Sequence, residues 1–221
     1  ALECMNIENQ EDRLHEFFKK LDNVLEIAAK HPDRFIPFCN IDPRSLKNAP
    51  HSDFGPVLEY YKKKGCKGVG EIMPNLPLNH PKVQNLLRHI EIAELPVIFD
   101  GSDQLDGDFG LYDDPGLPML EHTLQSFPNL KILGHGPTFW AEFGKLETPG
   151  SRGYIFSIKG RQVGNPPTEP FVEEGVVPKL MRKYKNLMGD LSDGSPTIAL
   201  KRNPEYGAKF LTEFQDRLFF G

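Results

Sequence analysis

The chain has 221 residues, 38% of them hydrophobic and 26% charged, enough apolar material for one sizeable core and the length of one large domain. Its formal net charge is −5, and the lysines and arginines are scattered rather than gathered in a stripe, which excludes nucleic acid as a partner. No apolar run approaches the ~20 residues a membrane helix needs, and the start Ala1-Leu-Glu-Cys-Met has no basic-then-apolar signal character, so no membrane association is expected. Cys4, Cys39 and Cys66 are odd in number and form no CxxC pair. They predict neither a disulfide framework nor a thiolate zinc knuckle, and they fit a reducing cytoplasm.

From Glu11 to Lys30 the apolar residues Leu14, Phe17, Phe18, Leu21, Val24, Leu25 and Ala28 recur at three- and four-residue spacing, which predicts a helix stopped by His31-Pro32. The run Arg34 to Ile41 reads as a buried strand, although Pro37 interrupts it. The alternation then repeats: helix near Phe54–Lys64, strand Cys66–Ile72, helix Lys82–Ala93, strand Pro96–Asp100, helix Met119–Phe127, strand Leu130–Gly134. A helix at Phe171–Tyr184, a strand at Asn186–Leu191, a helix at Tyr206–Phe214 and a strand from Arg217 to Phe220 complete six candidate strands. Strands alternating with helices imply a parallel sheet, either open and doubly wound or closed as a barrel. There is no GxGxxG after the first strand and no GxxxxGK[ST], so nucleotide binding has no support. The connections 101–116 and 148–170 are long enough to build a site or its cover. Within the second, Gly150 to Gly160 reads as a lid or a short hairpin.

Parallel-sheet enzymes place reactive groups just past the C-terminal ends of strands. The polar residues there are Asn40 and Asp42, Glu71, Asp100, His135 and Asp190. Carboxylates and an imidazole converging on one rim are what a divalent metal requires. The competing reading is that an acidic residue after a strand caps the next helix or forms a turn, and it weighs equally for Asp42 and Asp100. His135, between Gly134 and Gly136, has room for a ligand close to the backbone. Trp140 is a candidate pocket wall. His15, His31, His51, His80, His89 and His122 fall on helix patterns or beside prolines and read as solvated positions.

The segments His31 to Pro43, Gly65-Cys-Lys-Gly-Val-Gly-Glu71, Leu95-Pro-Val-Ile-Phe-Asp100, Asn129-Leu-Lys-Ile-Leu-Gly-His135, Asn186-Leu-Met-Gly-Asp-Leu-Ser192 and Phe214 to Gly221, in this order, resemble the amidohydrolase-related group of metal-dependent hydrolases. The resemblance runs over nearly the whole chain and implies a (β/α)₈ TIM barrel that lacks its first strand and its C-terminal strand or strands. In that family a His-x-His pair, two mid-chain histidines and a late aspartate form the metal site. His135 matches the second mid-chain histidine, Asp100 stands where the first is found, and the sequence has no His-x-His. The implied activity is hydrolysis of a small amide, ester or lactone, or a related decarboxylation, through water activated by a divalent metal, zinc by preference. The expected ligands are His135 with Glu71 or Asp100, and the same three are the catalytic candidates: Asp100 is a ligand or a general base and Glu71 a ligand or an orienting carboxylate, with Asp190 positioning His135 and Asn40, Asp42 and Trp140 supporting the site or facing the substrate. Two alternatives are a metal-independent lactonase-like hydrolase and a noncatalytic barrel that binds a small ligand. A homodimer is expected from the phenylalanine-rich stretches Phe17-Phe18 and Phe139 to Phe143.

Overall fold

The computed structural model of the chain describes residues 24–46, 50–105, 109–152, 156–158, 161–163 and 167–221. The N-terminal part of the first expected helix, Cys4, His15, Phe17 and Phe18 lie outside the described residues. Within the described residues, 24–30 form helix α1.

Six strands form the main parallel path: β1 (Phe38–Cys39), β2 (Gly68–Ile72), β4 (Val97–Ser102), β6 (Ile132–His135), β9 (Leu187–Asp190) and β10 (Leu218–Phe219), in that spatial order. Each paired neighbour follows its predecessor through helical chain, as right-handed parallel crossovers require. Two short strands, β3 (Leu76–Pro77) and β5 (Leu111–Tyr112), extend the sheet beyond the end of β4. The first expected strand shortens to two residues because Pro37 has no N–H for the ladder. The 150–160 segment contributes an antiparallel hairpin, β7 (Phe156–Ile158) with β8 (Arg161–Val163).

The helices are α2 (Gly55–Lys63), α3 (Pro81–Ile92), α4 (Pro118–Ser126), α5 (Pro137–Ala141), α6 (Val176–Lys183), α7 (Ser195–Lys201) and α8 (Pro204–Glu213). Their starts are written in the sequence. Pro81 and Pro204 occupy the first turn, where no amide donor is needed, and His80 Nδ1 and Asn203 Oδ1 accept the amides of Lys82 and Tyr206. Val83, Leu86, Leu87 and Ile90 place one buried face of α3 against the sheet. On the far side, Trp140, Phe143, Phe171, Phe210 and Phe214 make successive ring contacts between 4.8 and 6.3 Å. This aromatic block fixes α5 and α8 behind β9.

One expectation is corrected here. Cys39 in β1 and Cys66 just before β2 are joined as a disulfide, with Cα atoms 6.1 Å apart and both side chains buried. The pairing of β1 with β2 brings together two cysteines 27 positions apart, which no local CxxC pattern announces. The cysteines therefore no longer argue for a reducing compartment. No helix among the described residues is long and apolar enough to cross a membrane.

Candidate metal centre

Glu71, Asp100, His135 and Asp190 stand on four successive strands of the path, β2, β4, β6 and β9. Asp100 and His135 are direct register partners, and Gly134 pairs with Gly189, so His135 and Asp190 come next along both strands. Parallel pairing thus lines up four chemically competent side chains from positions 119 residues apart in sequence. One donor atom each from Glu71, Asp100 and His135 lies within 4.8 Å of the others.

The imidazole is held by its neighbours. His135 Nδ1 lies 2.9 Å from Asp190 Oδ2, and its Nε2 lies 3.3 Å from Glu71 Oε1. A carboxylate accepts only, so Nδ1 carries a proton; when the ring is neutral, Nε2 presents its lone pair to the cluster. Ser192 clamps Asp190 in turn: its Oγ donates at 2.6 Å to Oδ2 and its amide donates at 3.0 Å to Oδ1. Trp140 Nε1 donates to the Asp190 carbonyl at 2.9 Å.

The electrostatics follow from this geometry. Burial raises the Asp100 carboxyl to about 7, and the Glu71 charge beside it pushes the same way. Burial likewise raises Glu71, with the His135 imidazole pulling against it. Burial disfavours charge on His135, but the Asp190 hydrogen bond and the nearby carboxylates outweigh it, so His135 titrates above the usual imidazole range. Asp190 is buried too, yet hydrogen bonds from His135 and Ser192 hold its carboxyl below the ordinary value.

Two features of this site reach past the side chains themselves. Glu71 Oε1 and Asp100 Oδ1 are buried with no hydrogen-bond partner, an arrangement that is costly unless something cationic answers them. Gly136, at φ 88°, passes so close that a Cβ there would overlap the Asp100 carboxylate. A glycine is required at that position for the loop after β6 to close over Asp100.

The other expected residues fall around this centre in different ways. Asn40 donates its side-chain amide to the Glu71 carbonyl and so steadies the β2 end. Asp42 takes the turn-forming alternative: Oδ1 accepts the Arg44 amide at 2.7 Å and the carboxylate pairs with the Arg44 guanidinium. Trp140 is fully buried behind β9, lining a small cavity with Pro137, Ser195 and Arg202. Ser192 and Gly136 belong to the site and were not singled out from the sequence. The signal for Gly136 was its place after a strand-end histidine; Ser192 had none that distinguishes it from a turn serine.

No protein-family model matches the chain, and no curated protein matches it. Among solved structures it is similar to 2,6-dihydroxybenzoate decarboxylase from Rhizobium and to a 2,6-dihydroxybenzoate decarboxylase complexed with 2,6-dihydroxybenzoate. In each case the TM-score is 0.51 at 15% identity, over 97% of this chain and 68% of that one. It is also similar to a probable 2-pyrone-4,6-dicarboxylic acid hydrolase from Acinetobacter baumannii with citric acid bound, with TM-score 0.47 and 16% identity, over 89% of this chain. The chain spans 60% of the length of that protein. The described strands and helices have the α/β fold of a partial TIM barrel of the kind the decarboxylases show, with the candidate centre at the C-terminal ends of its strands.

Proposed function

We propose that this chain carries the centre of an amidohydrolase-superfamily hydrolase that acts on a small amide, ester or lactone, with a divalent metal, zinc by preference, held by Glu71, Asp100 and His135. One observation carries the reading: two buried carboxylate oxygens without donors, Glu71 Oε1 and Asp100 Oδ1, converge with an imidazole nitrogen whose ring is fixed by Asp190. The donor set fits. Two carboxylates and one neutral imidazole offer three ligands and leave a position open, the pattern of a zinc centre that does chemistry rather than one that only holds a fold.

A bound divalent ion supplies a Lewis acid and lowers the pKa of water to about 7. The chain's own residues do the rest. Asp190 holds the proton on His135 Nδ1 and keeps Nε2 aimed at the cluster, while Ser192 keeps Asp190 from turning away. Glu71 and Asp100, on strands rather than loops, bring fixed negative charge to the point where a cation or a developing positive charge is stabilised. The geometry serves addition of water to a carbonyl, and also the loss of carbon dioxide from an acid, so decarboxylation is the related outcome. A second reading has its own support: the His135–Asp190 hydrogen-bonded pair beside Asp100 is an acid–base constellation in its own right, suited to lactone opening without a metal.

Turnover of a panel of small lactones, esters and amides, measured before and after chelation and again after adding zinc or manganese, tests the proposal. Activity lost on chelation and restored by metal is expected. Activity indifferent to chelation transfers the assignment to the metal-free acid–base reading, and no turnover in any state overturns hydrolysis.

A further inference from the structure

A single buried guanidinium lies behind β9, away from the candidate centre. Along α7 and at its end, Ser195, Ala199 and Arg202 recur at four- and three-residue spacing, which puts them on one face of the helix. That face meets Trp140 and Ala141 of α5 across a small cavity, with Pro167 at its side. The cavity has about 10 Å³ for the centre of a water-sized body, the room of one water or one halide-sized ion.

Arg202 is 6% exposed, and only neutral groups hold it. Its Nε donates to the Glu169 carbonyl at 3.0 Å, its Nη1 donates to the Ala141 carbonyl at 3.2 Å, and its Cζ lies 5.2 Å from the centre of the Phe171 ring. Among the described residues Nη2 makes no hydrogen bond and no carboxylate pairs with the group. Arg152, the other guanidinium buried this deeply, has Glu142 3.6 Å away. Burial pushes Arg202 below the usual guanidinium range. Ser195, 4% exposed, lines the same cavity, and its Oγ is buried with no partner. A cation and a hydroxyl buried around one cavity are both costly until something accepts their protons. A water can accept from Ser195 but brings no charge. A small anion accepts from both and offsets the cation.

We propose that this cavity binds one monatomic anion of the chloride and bromide class, held between the Arg202 guanidinium and the Ser195 hydroxyl. Size sets the class, since one water-sized position suits a halide. The side chains of Ala199, Pro167 and Ala141 add apolar wall and no competing charge, so the attraction between guanidinium and anion acts at low dielectric. The ion joins α7 to α5 where Trp140 Nε1 donates to the Asp190 carbonyl, and so buttresses the fold behind that strand end without entering the chemistry in front of it. The inference does not depend on the hydrolase reading.

Thermal unfolding of the full chain in sodium chloride, sodium bromide and sodium gluconate at equal ionic strength separates a halide site from general screening. The melting temperature is expected to rise saturably, by about 2–5 °C, in either halide and not in gluconate. Ser195→Ala is the variant to compare, because it removes a hydroxyl that holds nothing else in the fold. In gluconate it should melt at or above the parent, having lost a buried unpartnered group, and in halide its gain should largely vanish. Bromide located by anomalous scattering in crystals of the full chain should sit in this cavity, between Ser195 and Arg202. Equal melting in all three salts, a halide gain that Ser195→Ala leaves intact, or bromide found only at surface positions overturns the proposal.

Discussion

Two groups of buried charge lie in this molecule, and they are built in opposite ways. At the strand ends, Glu71 and Asp100 keep buried oxygens with no donor. Near the start of α4, Asp113 and Glu142 are buried at 4% exposure each, but the protein answers them. Asp113 accepts the amides of Met119 at 3.0 Å and Leu120 at 2.8 Å, and Glu142 accepts the Gly116 amide at 2.9 Å. Arg152 lies beside them, 3.6 Å from Glu142 and donating to the Asp113 carbonyl. The difference teaches how to read a buried carboxylate. Where backbone amides donate to it and a guanidinium lies alongside, it holds a loop in place; where no hydrogen-bond donor reaches an oxygen, that oxygen is open to a ligand, the role proposed for Glu71 and Asp100.

The largest test of the contrast is Arg152→Ala. It leaves Glu142 buried without its cation, and an expected loss of about 3 kcal/mol in urea unfolding marks the group as structural. Zinc uptake by whatever fraction stays folded should not change; coupled loss of zinc affinity would erase the distinction between the two groups.

Next comes pH. The Asp100 carboxyl sits near 7 in the folded chain against 3.8 unfolded, so between these values the folded state binds more protons and stability falls as pH rises. Asp100→Asn should remove that dependence in the metal-free protein. The variant is therefore expected to gain on the order of 1–3 kcal/mol over the parent at pH 8 and nothing at pH 4, checked by paired urea melts. A constant difference across pH would show that Asp100 is answered after all.

A smaller effect is expected at Asp113→Ala, which removes the carboxylate that accepts two backbone amides at the start of α4. About 1 kcal/mol of stability should be lost, with zinc affinity unchanged, as calorimetry would report. Smallest is Ser192→Ala. Losing the clamp on Asp190 should weaken zinc binding by about two- to fivefold and leave the unfolding midpoint nearly in place; an equal loss in both would make Ser192 a folding residue only.

Much of the fold could be read from the chain, because apolar runs bounded by Pro, Asp and Asn mark strands such as β4 and β6, and Val83, Leu86, Leu87 and Ile90 mark a helix. The five-residue α5 and seven-residue α7 escaped, since neither is long enough to show a period, and β3 and β5 are two-residue extensions set by tertiary contact. Residues Glu71, Asp100, His135 and Asp190 stood out because each ends or nearly ends an apolar run. The structure brings those four together. The disulfide between Cys39 and Cys66 and the Asp113, Glu142 and Arg152 group did not stand out, because their members meet only once the strands have paired and the loops have folded back. Trp140 was visible as a residue of interest, but only the packing of α5 shows it behind β9 rather than in the mouth.

Zinc content by elemental analysis, after reconstitution and dialysis of the chain beside Glu71→Ala and His135→Ala, tests the central claim most directly. The account predicts one tightly held zinc per chain, lost in both variants while each stays folded. Absence of zinc in the parent, or its retention in either variant, would contradict it.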